Sequence, residues 1–257
     1  MMNLDLTGKH AMVCGSTRGI GWASAQQLVD MGAYVTLVAR DESLLQQRVE
    51  ELGGGDHSYI CVDFSEPESV GQRVHNWAAD RPVHILINNT GGPPGGSAHE
   101  AEIEEYVEAF KRHLLCNQLL VKATVRGMRE AGYGRIINII STSVREPIPG
   151  LGVSNTIRGA VAAWAKTLSN ELGPDAITVN NVLPGFTSTD RLEQIIDNKA
   201  KNADRDTVIE QMKGQVPLRR FADPSELASV IAFLASPAAG YVNGVSLAVD
   251  GGRTKSI

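Results

Sequence analysis

The sequence predicts an α/β fold: a doubly wound parallel sheet of seven strands with helices on both faces. Short apolar runs rich in β-forming residues recur along the chain, and helical patterns fill the intervals between them. A glycine-rich turn joins the first apolar run to the first helical pattern. A later run, residues 136–140, is almost continuously apolar, which is typical of a strand buried on both faces.

The order of these runs along the chain gives the expected elements. Between Ile157 and Leu172, apolar residues recur every three or four positions, which predicts one face of a helix. Residues 184–224 are the most irregular stretch, and we expect a substrate loop at about 186–220 within a single domain, residues 1–257. The predicted strands are 11–13, 34–39, 59–62, 84–87, 135–140, 178–183 and 245–249.

Composition excludes several classes of protein. The chain has 257 residues, of which 42% are hydrophobic and 21% charged, as is ordinary for a globular domain. Its net charge of −5 disfavours nucleic acid and anionic membranes as partners. We find no signal-peptide pattern and no apolar run long enough to cross a bilayer. We therefore expect a cytoplasmic protein that acts on a small molecule.

The cysteines also favour a cytoplasmic location. Cys14, Cys61 and Cys116 lie far apart and form neither a disulfide framework nor a metal-binding spacing. Reduced, buried thiols are the expected state, which indicates a reducing compartment. No metal site is predicted.

The turn after the first strand has a pattern suited to a dinucleotide. Its glycines permit a tight turn, close approach of the backbone to a pyrophosphate, and close packing of helix on strand. The N–H groups and positive dipole end of the helix start would face the anion. The spacing is G-x-x-x-G-x-G, and no Gly-Lys-Ser/Thr follows, so an ATP-type phosphate loop is disfavoured. The residues predicted to bind cofactor here are Gly15, Ser16, Thr17, Arg18, Gly19, Ile20 and Gly21.

Residues after the second and third strands indicate which dinucleotide is bound. Arg40 follows the second strand, and together with Arg18 it favours a 2′-phosphate and hence NADP(H). Asp41 keeps NAD(H) open as the less favoured alternative, because a carboxylate there would accept from a ribose hydroxyl. Asp63 follows the third strand and would either meet the adenine amino group or cap the helix entered at Pro67.

Several motifs together resemble one family. They are the glycine turn, Asp63, and the segments 88–91, 134–141, 184–189 and 243–252. Over essentially its whole length, the chain resembles the short-chain dehydrogenase/reductases, and most of all their 3-oxoacyl-acyl-carrier-protein reductase group. Cys14 stands where that group usually has Thr, and Thr90 where it usually has Ala.

The resemblance implies a fold, a cofactor and an assembly. The fold would be a Rossmann-type sheet in the strand order 3-2-1-4-5-6-7. The assembly would be a homo-oligomer, usually a tetramer, with subunit contacts near 102–131 and 153–173. The resemblance adds to the cofactor site Phe64, Asn89, Thr90, Gly91, Arg158, Pro184, Gly185, Thr187 and Thr189.

The catalytic positions depart from the family pattern. In the family a tyrosine exchanges the hydroxyl proton, and a lysine one turn later holds the nicotinamide ribose and lowers the tyrosine pKa. Here Ser154 and Arg158 occupy those two positions, and no shifted Tyr-x-x-x-Lys is present. Ser141 matches the serine that hydrogen-bonds the substrate oxygen. His113 stands where an asparagine usually supports a proton path, with Asn117 one turn later as a possible substitute.

The residues present leave the proton donor open. Loss of a positioned general acid typically costs ~10²–10⁴-fold in rate, and a serine hydroxyl is a far weaker acid than tyrosine. His113 is the best chemical substitute because histidine titrates near neutrality, although packing between helices is its simpler role. Ser154 could instead cap a helix. Arg158 could hold ribose hydroxyls or a substrate carboxylate or phosphate.

Two functions follow from this pattern. The first is an NADP(H)-dependent oxidoreductase that interconverts a carbonyl and an alcohol with a non-standard catalytic site. The second is a catalytically impaired NADP(H)-binding sensor or partner subunit. A hydrolase built on the serines is disfavoured, because the chain has no G-x-S-x-G nucleophile turn.

Overall fold

The computed structural model describes residues 2–201 and 203–256. Within them, the strands form a single sheet in which every neighbouring pair is parallel. The strands are β1 (His10–Cys14), β2 (Tyr34–Ala39), β3 (Ser58–Cys61), β4 (Ile85–Asn88), β5 (Gly134–Ile139), β6 (Ile177–Pro184) and β7 (Ser246–Val249). Their order is β3-β2-β1-β4-β5-β6-β7, which confirms the predicted fold class and topology.

Helices cover both faces of this sheet. They are α1 (Gly19–Asp30), α2 (Glu42–Glu51), α3 (Pro67–Ala78), α4 (Ile103–Phe110), α5 (Cys116–Ala131), α6 (Gly152–Leu172), α7 (Asp190–Ala200), α8 (Arg205–Gly214) and α9 (Pro224–Ala235). A π-helical turn, Lys111–Leu115, joins α4 directly to α5. The helix predicted up to Leu172 is α6, which begins five residues before the predicted start.

The apolar strands are buried because alternate side chains enter two different cores. In β1, Ala11 and Val13 belong to one core cluster, whereas Met12 and Cys14 belong to the other. Residues from α1 and α9 complete the first core, and residues from α3 and α5 complete the second. A strand covered on both sides needs apolar residues at successive positions, which explains the runs seen in the sequence.

A row of amides crosses the interior of the sheet. Asn88 Nδ2 donates to Asn138 Oδ1 at 2.8 Å, and Asn138 Nδ2 donates to Asn181 Oδ1 at 3.0 Å. Asn181 Nδ2 then donates to Ser246 Oγ at 3.0 Å. The row links β4, β5, β6 and β7 through side-chain hydrogen bonds.

The segment after β6 carries its own small core. Leu192 and Ile196 of α7 pack against Val208 and Met212 of α8. The predicted substrate loop at about 186–220 therefore consists largely of two helices. Among the described residues, none of the helices is both long enough and apolar enough to span a bilayer.

Candidate active site at the carboxyl edge of the sheet

The glycine turn is held between the ends of β2 and β4. Gly15 has φ +57°, and a side chain there would place its Cβ 2.7 Å from the Asn89 carbonyl oxygen. Asn89 Nδ2 donates to the carbonyl oxygens of Cys14 and Gly15 at 3.3 and 3.2 Å. Ser16 Oγ accepts from Val38 N at 3.0 Å. The Asn89 side chain thus links the end of β4 to the glycine turn. The Ser16 hydroxyl links the same turn to β2.

The start of α1 is open to an anion. Its N-cap residue, Arg18, makes no side-chain cap bond, and the first turn contains no acidic residue. A side chain at Gly21 would overlap the Gly15 carbonyl oxygen, so only glycine lets the helix begin this close to the turn. Thr189 lies over Gly19 from the far side of the cleft. This geometry fits a pyrophosphate bound to free N–H groups.

Other residues of the turn make structural contacts. The Thr17 carbonyl oxygen accepts from Arg48 Nε at 3.1 Å, and Ile20 packs against the core shared by α1 and α9. Arg18 Nη1 lies 2.7 Å from Asp190 Oδ2, and both side chains are mostly exposed. This ion pair connects the glycine turn with α7 across the cleft.

Arg40 and Asp41 have separate roles at the end of β2. Asp41 Oδ1 accepts from Leu44 N and Ser43 Oγ, so the carboxylate caps α2. These hydrogen bonds lower the Asp41 pKa, and the charges of Arg18 and Arg40 lower it further. Arg40 is exposed. Both arginines therefore act on Asp41, while its carboxylate is engaged with its own helix.

Asp63 and Phe64 lie after β3. Asp63 Oδ1 accepts from the backbone N–H and the hydroxyl of Ser65, both at 2.8 Å, and these bonds lower the Asp63 pKa. The alternative that Asp63 caps the helix entered at Pro67 is wrong, because the N-cap of α3 is Glu66. The Phe64 carbonyl oxygen accepts from Cys116 Sγ at 3.3 Å.

The segment after β6 turns back over the cleft. Gly185 N donates to the Val249 carbonyl oxygen at 3.0 Å, and a side chain at Gly185 would press on Asp250. Thr187 Oγ1 donates to the Gly185 carbonyl oxygen at 3.3 Å, and Thr189 Oγ1 donates to that of Thr187 at 3.2 Å. Pro184, the last residue of β6, thus leads into a compact turn that ends beside the start of α1.

Ser141 and Ser154 lie at adjoining elements. Ser141 follows β5, and its Oγ accepts from Ser143 N at 3.1 Å. The buried Ser143 hydroxyl has no hydrogen-bond partner among the described residues. Ser154 is buried in the first turn of α6, but the N-cap of that helix is Leu151, so the helix-cap alternative for Ser154 is wrong.

His113 lies in the π-helical turn and is only 2% exposed. Its Nδ1 lies 2.7 Å from Thr90 Oγ1, whereas its buried Nε2 has no partner among the described residues. Burial, followed by the nearby charges of Arg158 and Arg112, lowers the His113 pKa well below 6.5. The expectation that His113 titrates near neutrality is not met, because the imidazole is neutral at pH 7 and offers no imidazolium proton.

Arg158 points from α6 back to the end of β5. Its Nη1 donates to the Ile139 carbonyl oxygen at 3.0 Å, and the side chain is buried. Burial and the neighbouring charge of Arg191 lower the Arg158 pKa to about 10, so the group stays protonated at neutral pH. Arg191 of α7 was not among the residues predicted from the sequence. It lies in an irregular polar stretch, and no motif distinguishes it from a surface arginine.

These elements meet at one edge, because parallel strands present their carboxyl ends together. An open helix start lined by glycine, at that edge of a doubly wound sheet, defines a dinucleotide-binding protein of the Rossmann class. The chain belongs to the short-chain dehydrogenase/reductase family of oxidoreductases, as predicted. A model for enoyl-(acyl carrier protein) reductases matches residues 15–254.

Individual relatives support this assignment. The 3-oxoacyl-[acyl-carrier-protein] reductase of Vibrio cholerae is 35% identical over 253 residues, which cover 97% of this chain and 98% of the relative. The structure of L-sorbose reductase from Gluconobacter frateurii, complexed with NADPH and L-sorbose, is similar with a TM-score of 0.93, 30% identity and full coverage of both chains. An NADPH-dependent reductase involved in bacilysin biosynthesis is similar with a TM-score of 0.92 and 28% identity, covering 97% of this chain and 99% of that one.

Proposed function

We propose that the protein is an NADP(H)-dependent oxidoreductase that interconverts a carbonyl and an alcohol, using a catalytic site without the family's tyrosine and lysine. The observation that carries the proposal is the open, glycine-lined start of α1, with Arg18 as its N-cap and with the charges of Arg18 and Arg40 both acting on Asp41. The similar L-sorbose reductase structure is a complex with NADPH, and the similar reductase of bacilysin biosynthesis is NADPH-dependent. These relatives support the same cofactor here.

The residues of the cleft fit this cofactor from end to end. The start of α1 and Thr189 would hold the pyrophosphate, and Arg18 and Arg40 would bind the 2′-phosphate. Asp63 Oδ1 is used by Ser65, so the adenine amino group would meet the other carboxylate oxygen. The nicotinamide end would lie along the cleft beside Thr187 and the residues after β4, which are Asn89, Thr90 and Gly91. When bound, NADPH supplies the hydride that reduces the carbonyl carbon.

The chain itself orients the substrate and handles the proton. Ser141, at the end of β5, donates to the substrate oxygen. Ser154, or a water beside it, delivers the proton to that oxygen. His113 is neutral and hydrogen-bonded to Thr90, so its role is to position or relay rather than to act as a charged acid. Arg158 supplies a fixed positive charge next to the reaction site.

A second function is favoured by one observation, the replacement of the proton-transfer pair by Ser154 and Arg158. A protein that binds NADP(H) but reduces nothing would act as a sensor or as a partner subunit of an active relative. The open helix start serves this function equally well, so only turnover separates the two.

A titration followed by rapid mixing tests the proposal. NADPH is added to stoichiometric protein and its fluorescence reports binding. A 3-oxoacyl thioester and an activated dicarbonyl are then mixed in, and oxidation of the bound NADPH is timed. Binding with oxidation supports the oxidoreductase, binding without oxidation supports the sensor or partner, and absence of NADPH binding contradicts both.

The proposal includes a homo-oligomer, a tetramer or a dimer. Apolar side chains are exposed along one stretch from α4 into the π-helical turn: Ile103, Val107, Phe110 and Leu115. This stretch lies within one of the regions that the resemblance assigns to subunit contacts, and such exposure supports burial against another copy. The free thiols of Cys14, Cys61 and Cys116 support a reducing, cytoplasmic location.

A further inference from the structure

We propose that Arg158 and Arg191 form an anion site that selects substrates carrying a carboxylate or phosphate near the carbonyl to be reduced. The proposal deepens the function above and rests on it only in assigning the anion to a substrate. The feature that requires explanation is a pair of arginines from two different helices that, among the described residues, has no carboxylate partner.

Both guanidinium groups converge on Gly92. A side chain at Gly92 would place its Cβ 3.8 Å from Arg191 Nε and 3.9 Å from Arg191 Nη2. The same Cβ would lie 3.9 Å from Arg158 Nη2. Both cationic groups therefore lie within van der Waals reach of one point beside the Gly92 backbone.

Each arginine is held in place by one backbone carbonyl. Arg158 Nη1 donates to Ile139 O at 3.0 Å, and Arg191 Nη2 donates to Pro93 O at 2.7 Å. A guanidinium has several further N–H donors in a planar fork that matches carboxylate and phosphate oxygens. The remaining donors of both side chains form no other hydrogen bond within residues 2–201 and 203–256, so they stay available to a ligand.

The charges of this pair are not compensated. In the part of the chain that the structure describes, no Asp or Glu carboxylate forms an ion pair with Arg158 or Arg191, whereas the exposed Arg205 and Arg220 both do. Arg158 is only 8% exposed. Buried charge is costly unless it is paired, and a bound anion supplies the missing partner. The lowered pKa values of both arginines have burial as their first cause, in agreement with this environment.

The position of the pair favours a substrate as the source of the anion. In the proposed function, the pyrophosphate of the cofactor binds at the start of α1 and the 2′-phosphate binds at Arg18 and Arg40. Arg158 is bonded to Ile139, two residues before Ser141, which holds the substrate oxygen in the proposed reaction. An anion between the arginines would therefore belong to the molecule whose carbonyl is being reduced.

Binding to the oxidised complex tests the proposal without reduction of the probe, because NADP⁺ cannot reduce an oxo compound. The probes are 2-oxohexanoate, acetoacetate and dihydroxyacetone phosphate, each compared with its neutral counterpart, namely the two methyl esters and dihydroxyacetone. We expect at least one anion to bind the NADP⁺ complex about 10-fold or more tightly than its counterpart, as measured by calorimetry. Equal binding within every pair would overturn the proposal.

Variants of Arg191 test whether the preference for the anionic probe depends on the arginine pair. Arg191→Gln should abolish the preference for the anion and leave the NADP⁺ affinity unchanged, and Arg191→Lys should retain part of it. Lys199→Gln removes the same charge from an exposed position of α7 and should change nothing. If Arg191→Gln weakens NADP⁺ and the anion by the same factor, the pair serves the cofactor pyrophosphate and the proposal is wrong.

Failure of the proposed function gives a different result. If NADPH fluorescence shows no binding, the oxidoreductase assignment is lost, and the comparison is repeated on cofactor-free protein. Tighter binding of an anion than of its counterpart, lost in Arg191→Gln, would then still support an anion site. Equal binding within every pair would overturn that site as well.

Discussion

Thr90 Oγ1 lies 2.7 Å from His113 Nδ1, so two residues that each depart from the family pattern are hydrogen-bonded to each other. An alanine at position 90 would leave the buried imidazole without this partner. The hydroxyl fixes one ring nitrogen, and the other is buried without a partner among the described residues. The two departures therefore act as one unit between the end of β4 and the π-helical turn.

This contact predicts strong coupling between the two positions. Thr90→Ala should lower the free energy of unfolding by about 1–3 kcal/mol, because a buried ring nitrogen loses its partner. His113→Asn, combined with Thr90→Ala, should cost less than the sum of the single changes, with a coupling energy of about 0.5–3 kcal/mol. Urea unfolding of the four proteins measures the cycle. Strict additivity would show that the two side chains do not interact in solution.

Buried histidines predict a loss of stability in acid. The folded protein holds the His113 pKa well below 6.5 and the His10 pKa at about 4, in both cases chiefly by burial. Above pH 6.5 these histidines are neutral in both the folded and the unfolded protein, so they do not change the free energy of unfolding. Below it the unfolded chain takes up protons that the folded chain refuses, so the free energy of unfolding falls by at most about 1.4 kcal/mol per pH unit for each histidine. For His10 this loss extends down to about pH 4.

Urea unfolding between pH 7 and pH 5 checks this prediction. His113→Asn should reduce the slope of the unfolding free energy against pH by up to about 1.4 kcal/mol per pH unit, which corresponds to one proton. Thr90→Ala is the matched control, because it weakens the same region but keeps the histidine, and its curve should lie lower with a similar slope. An unchanged slope in His113→Asn would mean that the imidazole titrates normally in the folded protein.

The amide row across the sheet predicts a large loss of stability when Asn138, at its centre, is replaced. Asn138→Ala removes the acceptor of Asn88 and the donor to Asn181, which leaves two buried polar groups unpaired. The expected loss is about 2–5 kcal/mol. Asn76→Ala, at an exposed position of α3, is the control and should change stability by less than about 0.5 kcal/mol. Similar small effects at both positions would indicate that water replaces the row at little cost.

The sequence was sufficient for the fold class and the positions of the strands because that information is local, whereas the strand order came from the family resemblance. The alternation that sends Ala11 and Met12 into different cores appears directly as a continuous apolar run. The constraint on Gly21 is likewise local, since it comes from the Gly15 carbonyl oxygen, whereas the constraint on Gly15 comes from Asn89, which is distant in sequence.

The catalytic half was predicted less completely, because its geometry depends on contacts distant in sequence. Arg191 meets Arg158 only because α7 folds back over the cleft, and Arg18 is paired with Asp190, 172 positions away. The low pKa of His113 follows from burial that a helical pattern alone does not specify. The residues of loops and helix starts show no periodic sequence pattern from which such long-range contacts could be predicted.

Two helical glycines predict opposite responses to the same change. Gly21→Ala should abolish or strongly weaken NADPH binding, because its Cβ would overlap the Gly15 carbonyl oxygen and displace the turn. Gly159→Ala, in α6, would bring its Cβ within 4 Å of no described residue outside that helix and should stabilise the protein by up to about 1 kcal/mol. NADPH fluorescence and thermal unfolding measure both effects. Normal NADPH binding by Gly21→Ala would contradict the role given to the turn.

Arg40 provides the test of cofactor choice. Arg40→Ala should weaken NADPH binding by about 1–3 kcal/mol, because a charge-assisted contact with the 2′-phosphate is lost, and should leave NADH binding almost unchanged. Arg126→Ala, an exposed arginine of α5, removes the same charge elsewhere and should affect neither nucleotide. Fluorescence titration of each variant with each nucleotide measures the ratio. Equal weakening of NADPH and NADH binding would place Arg40 away from the 2′-phosphate. The Asp41 carboxylate would then have to leave its capping position on α2 before it could accept a hydrogen bond from a ribose hydroxyl.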